Sequence, residues 1–182
     1  MGWDFGTDTK YTDSLFEYMI YGASQGWTST SYDFEHDYKR LGLAALYNDS
    51  NPDLRRFEAA GGKLLVYQGG NDVVEMPTAI VDYYQTVEKV MGGLESTQTF
   101  FRLFIIPGMN HCGGGDGATS IDYLNYLEAW VEHNQPPEMM IGSHDDPKDP
   151  RKFTRPMYPF PKVARYQGGD PNDAGSFQST QP

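Results

Sequence analysis

The sequence predicts an α/β fold: a β-α-β-α unit with parallel strands, preceded by a helical and loop segment and followed by a wrapping C-terminal tail. Two observations carry this. KLLVYQ (63–68) and TFFRLFIIP (99–107) are short, nearly continuous apolar runs, the pattern of strands buried on both faces. Each run is followed by a loop and then by a segment of helical hydrophobic period. That order requires parallel strands joined by a right-handed crossover.

The elements follow in chain order. Residues 1–35 are polar and aromatic, and SLFEYMIYG (14–22) is an apolar segment expected to form a short helix ended by Gly22. YDFEHDYKRLGLAALYND (32–49) predicts a helix capped by Asp33, with Leu41, Ala45 and Leu46 on one face. NPDLRRFEAAGG (51–62) predicts a turn and a short helix stopped by two glycines. After the first strand, GGNDVVEMP (69–77) is a loop. TAIVDYYQTVEKVMGG (78–93) is a helix with Thr78 as cap and Ile80, Tyr83, Tyr84, Val87, Val90 and Met91 on its apolar face. After the second strand, GMNHCGGGDGAT is a loop. SIDYLNYLEAWVEHN (120–134) is a helix with Ile121, Leu124, Leu127, Trp130 and Val131 facing inward. From Glu138 onward Pro, Gly and Asp dominate, and the reading is an irregular tail. The whole, 1–182, reads as a single domain: a helical and loop segment (1–60), an α/β core (61–135) and the tail (136–182).

The charge balance excludes several classes of function. Twenty-five acidic residues against 14 basic ones give a net charge of −11, a field that repels nucleic acid and anionic membranes. No apolar run approaches the ~20 residues of a membrane span. Met1 is followed by GWDFGTDTK, which lacks the basic and apolar stretches of a leader, so the chain as given does not support export. Its one cysteine, Cys112, excludes an internal disulfide framework and a Cys-rich zinc site. The Gly113–Gly115 run lacks the Lys-Ser/Thr of a phosphate loop. DFEHD (33–37) reads as acids answering a helix dipole. HDDPKD (144–149) and GDPNDAG (169–175) lack calcium-loop spacing and read as Asx turns. No cofactor or metal is expected.

Parallel strands send both of their following loops to the C-terminal edge of the sheet, where open α/β sheets build their sites. Asp72 lies on the first loop and His111 on the second, so residues far apart in sequence meet at one edge. An Asp and a His so placed match two members of a nucleophile, acid and base triad. The plainer reading, that Asp72 starts a turn and His111 is a solvated loop residue, stands beside it. Ser24, within GASQG (22–26), is a candidate nucleophile by the G-x-S-x-G pattern. The segment WTSTSYDF after it is a poor helix start, and the alternative is a Gly/Ser turn.

GGKLLVYQGGNDVVEMPTAIVDYYQTV, FFRLFIIPGMNHCGGG and DYLNYLEAWVEHNQPPEMMIG resemble the tannase and feruloyl esterase family of α/β-hydrolases. So do the approach segment NPDLRRFEAAGGKL and the ending RPMYPFPKVARYQGGDPNDAGSF. The resemblance runs from about Leu15 to Phe177, with PGMNHCGGG its most specific part. It implies a partial α/β-hydrolase unit with Asp72 as triad acid and His111 as triad base. It also implies that Cys112 pairs with a cysteine beside the nucleophilic serine. That serine belongs to an upstream elbow this stretch does not contain, and residues 1–60 resemble the return from a lid, Ser24 included. The family commonly has a histidine where this chain has Gln68, and a cysteine pair where it has Met157 and Gln178. The expected activity is hydrolysis of phenolic-acid esters, such as those of ferulate or gallate, by serine acyl transfer. Two alternatives stay open: a non-catalytic remnant binding an aromatic ligand or partner chain, and His/Asp acid–base chemistry without a serine. Family members are typically secreted. Two apolar strands do not complete a sheet, so the expected partner is a second copy pairing sheet edges, or a missing N-terminal half.

Overall fold

In a computed structural model describing residues 12–22, 26–43 and 49–182, the two apolar runs are strands, and they pair. Strand β1 (Leu64–Gly69) lies parallel to β2 (Phe101–Ile106), Leu64 opposite Phe101 and Gly69 opposite Ile106. Helix α1 (Arg55–Ala59) precedes β1 and ends in Gly61, whose φ of +78° suits a helix stop. Between the strands run α2 (Pro77–Val90) and a short α3 (Leu94–Gln98) that the sequence reading missed. Helix α4 (Tyr123–His133) follows β2, with the Asp122 carboxylate accepting from the Asn125 amide at its start and Asn134 in the left-handed region at its end.

The core lies on both faces of β2, as its alternation dictates. Phe101 and Leu103 pack with Phe100 and with Tyr84, Val87 and Met91 from α2 and its C-terminus. Phe104 and Ile106, from the other face, pack with Met109, Ala118, Met140 and Met157. Arg102 is buried on this strand and is fully engaged. It donates to Gln98 O (3.2 Å) and Pro137 O (2.8 Å), pairs with Glu138 (2.8 Å) and lies against the Trp130 ring. Trp130 itself is almost wholly enclosed.

The two strands differ in surroundings, which corrects the expectation of equal burial. β2 is covered on both faces, and its outer edge is partly closed: Phe160 N donates to Leu103 O at 2.7 Å. β1 is only half-buried, Tyr67 is exposed and stacks on Tyr123 at 3.9 Å, and no described strand pairs with its other edge.

Other expectations need correction. Helix α2 starts at Pro77, with Met76 rather than Thr78 as the flanking residue. Proline at the first helical position needs no N–H partner, so no side-chain cap is required. In α4, Leu124 and Val131 are exposed, while Trp130 is buried and Tyr123, Tyr126 and Leu127, with Ile121 just before the helix, are partly buried. In α2, Val90 is exposed. The tail is not irregular. It forms two antiparallel pairs, β3 (Met140–Ser143) with β4 (Thr154–Met157) and β5 (Val163–Tyr166) with β6 (Phe177–Thr180). The Arg155 guanidinium lies against Phe153 (4.7 Å) and Phe177 (4.5 Å), linking the two pairs. The Asx turns occur as read, Asp146, Asp149, Asp170 and Asp173 each accepting from the amide two residues on.

The described residues up to Asn51 belong to a compact unit of their own. Leu15–Ile20 is a π-helical segment, followed by Gly22 with φ of +76°. Phe16 stacks on Trp27 at 4.4 Å and meets Tyr32 edge-on. The helix expected over 32–49 is, in its described part, a turn and 3-10 helix (Asp37–Leu43). Asp33 Oδ1 accepts from the Glu35 and His36 amides, a local turn that competes with α-helix.

Candidate active site

Backbone packing at the end of the parallel pair brings the two loops together. Beyond β1, Gly70 N donates to Ile106 O (2.8 Å) and Asn71 N to Met109 O (2.9 Å). Gly69 makes the approach possible: a Cβ there would lie 2.3 Å from Asn110 O and 2.6 Å from Met109 O. The second loop closes on itself. Met109 bridges to Gly115, and Gly117 N donates to Gly108 O at 3.2 Å. Gly113 N donates to His111 O (2.8 Å) across Cys112, which is held at φ +58°. This tight turn fixes the backbone that carries the imidazole.

Asp72 and His111 meet. His111 Nδ1 is 2.8 Å from Asp72 Oδ2. The Asp72 side chain is 1% exposed and that of His111 is 41% exposed, so the acid is enclosed and the base faces outward. Four donors converge on the carboxylate. Val74 N (2.8 Å) and Glu75 N (3.1 Å) reach Oδ1, while Gln68 Nε2 (2.8 Å) and His111 reach Oδ2. Burial pushes the Asp72 carboxyl upward, but the hydrogen bonds from His111, Glu75, Val74 and Gln68 outweigh it and hold the group at about 2. The hydrogen bond to Asp72 lifts the His111 imidazole above its ordinary value, against the opposing effect of desolvation, and the nearby Asp72 and Glu75 charges add to the lift. With Nδ1 committed to Asp72, Nε2 faces outward without a partner among the described residues. When Nδ1 carries the proton shared with Asp72, Nε2 is left as an acceptor.

Two contributors escaped the sequence reading. Gln68 figured there only as a departure from a common histidine, yet it touches the acid directly. His144 braces the His111 loop from the tail. Its buried ring stacks on Phe153 (4.8 Å), with Nδ1 2.8 Å from Gly117 O and Nε2 3.3 Å from Asp149. The lone signal for His144 was its place in HDDPKD, where the acids drew attention as turn formers. Ser24 lies outside the described residues. Cys112 is an exposed free thiol next to His111. Val73, Val74 and Met76, on the loop that carries Asp72, are all exposed. Cavities of about 430, 410 and 320 Å³ lie elsewhere, lined by residues other than Asp72 and His111.

A parallel strand pair whose C-terminal loops bring an enclosed Asp72 against a half-exposed His111 matches part of an α/β-hydrolase-like fold. Comparison with solved structures agrees. The chain superposes with a TM-score of 0.81 on an esterase from Aspergillus oryzae, at 26% identity, over 93% of this chain and 37% of that one. The tannase and feruloyl esterase family model matches residues 18–180, and the chain belongs to that family.

Curated relatives include a probable feruloyl esterase of Arthroderma benhamiae, 42% identical over 132 residues, 71% of this chain and 25% of the relative. A mono(2-hydroxyethyl) terephthalate hydrolase of Piscinibacter sakaiensis is 37% identical over 176 residues, 95% of this chain and 27% of the relative. The chain thus spans about a quarter of the length of these two relatives.

Proposed function

We propose that this chain carries the acid and base of a carboxylic ester hydrolase acting on phenolic-acid esters, such as those of ferulate or gallate, by serine acyl transfer. The observation that carries the reading is the 2.8 Å contact between His111 Nδ1 and the enclosed Asp72, with Nε2 turned outward. His111 Nε2 takes the proton as a serine oxygen attacks the ester carbonyl, and Asp72 stabilises the imidazolium. The proton then passes to the departing alkoxide. Water, deprotonated by the same nitrogen, attacks the acyl-serine and releases the acid. The exposed Val73, Val74 and Met76 beside Asp72 supply apolar surface suited to an aromatic acyl group.

The serine is either in polypeptide beyond this stretch, in keeping with the chain's quarter share of its relatives, or, as the lesser candidate, Ser24 within it. The side of β1 that no described strand pairs is where a further strand adds, and a cysteine beside the serine is the partner proposed for the exposed Cys112.

Hydrolysis of methyl ferulate, measured in the polypeptide that contains this chain, tests the reading. His111→Ala is expected to lower kcat by about a thousandfold or more; an unchanged rate would overturn it. Fluorophosphonate labelling lost in Ser24→Ala locates the nucleophile within the chain. Turnover that needs His111 without any labelling points instead to acid–base chemistry lacking a serine. Neither labelling nor turnover leaves a binding remnant.

A further inference from the structure

Gln68 is well placed to act on Asp72. It stands near the C-terminal end of β1, half-buried, one residue before the glycine on which the two loops close. Its Nε2 lies 2.8 Å from Asp72 Oδ2 and 3.0 Å from Glu75 O. Both neighbours are acceptors, and the amide nitrogen carries two protons, so each proton has one destination. The flipped amide would set an oxygen against a carboxylate and a carbonyl, so the orientation is determined. Asp72 Oδ2, the oxygen that faces His111, is therefore held from two sides, by Gln68 and by the imidazole.

We infer that Gln68 is a positioning residue for the acid–base pair: it clamps the oxygen of Asp72 that His111 uses and ties the turn at Glu75 to the strand. The functional consequence rests on the reading of Asp72 and His111 as acid and base. The geometry does not. A neutral amide serves this purpose at any pH, because it neither gains nor loses a proton as the pair titrates. It also lowers the basicity of Oδ2. The carboxylate then stays ionised beside the imidazolium rather than taking its proton.

The test is a carboxyl-carbon NMR titration of Asp72 in the chain, with Gln68→Met and Gln68→Glu. Methionine keeps the length of the side chain and removes both donors. A hydrogen bond to a charged group is strong enough that its loss raises the Asp72 pKa by about one or more. Glutamate sets a second carboxyl against Oδ2, so the two share protons and titrate in two separated steps in place of the single Asp72 step. A merely structural role for Gln68 would lower the melting temperature and leave the Asp72 titration where it was, and that result overturns the inference. Should neither variant fold, exchange of the Gln68 side-chain amide protons in the unaltered chain decides. Slow exchange, relative to the exposed glutamines, supports the clamp; exchange at the rate of a free amide sinks it. No ester enters these measurements, so failure of the esterase reading and failure of the clamp are told apart.

Discussion

Replacing Asp72 with asparagine keeps the side chain's size and removes its charge. In the folded chain four donors surround the carboxylate, and the group is held near 2 from an ordinary 3.8. At 1.36 kcal/mol for each pKa unit, that difference is worth about 2 kcal/mol of stability at neutral pH. The sign follows from the direction. A depressed folded value favours the folded state above the unfolded pKa, and the contribution disappears as pH falls through the folded value. The carboxamide of the Asp72→Asn variant would also turn an NH₂ toward existing donors, which adds to the loss. Urea unfolding of both proteins from about pH 7 to about pH 2 measures the gap. It should be about 2 kcal/mol or more at neutral pH, with most of the titrating part closing between about pH 5 and pH 2. A gap that is absent at neutral pH, or constant across the range, would refute the four-donor description of Asp72.

Other outcomes follow from the same geometry. His111 adds stability of the opposite dependence: its raised folded pKa favours the folded state below about pH 6.5, and that share is lost as pH rises through the folded value. Gly69→Ala drives a Cβ to 2.3 Å from Asn110 O, so the loops must part. It should destabilise by about 1–3 kcal/mol in thermal unfolding and return the His111 titration toward about 6.5. Trp130→Ala removes an enclosed ring that also covers Arg102, and should cost about 3–5 kcal/mol in urea unfolding with little effect on the His111 titration. The side of β1 that no described strand pairs predicts self-association of the isolated chain, in which a second copy adds its strand there. Light scattering should report a dimer or larger species at micromolar concentration, and a stable monomer would count against it.

The parallel pair and its two loops were legible because continuous apolar runs followed by helical period admit few topologies. That topology alone brought Asp72 to the edge where His111 lies. Burial in α4 was less legible. Leu124 and Val131 are apolar yet exposed, while Tyr123 and Tyr126 pack against the core on the helix's inner side. The tail strands were hidden by their length of four residues each and by Pro156 within β4, which read as a breaker. Gln68 and His144 were hidden for a different reason. Each acts through a partner distant along the chain or across a turn, and a side-chain amide or a buried imidazole leaves no periodic trace. The difference between β1 and β2 depends on what covers each strand, which a run of apolar residues does not encode.

Titration of the His111 ring by NMR, in the unaltered chain and in Asp72→Asn, probes the acid–base pair most directly. The imidazole should titrate above 6.5 in the unaltered chain and drop toward that value when the carboxylate is gone, with loss of the hydrogen-bonded Nδ1 proton signal. An imidazole that titrates identically in both proteins would show that the two side chains do not act on one another, and the hydrolase reading would fall with the pair.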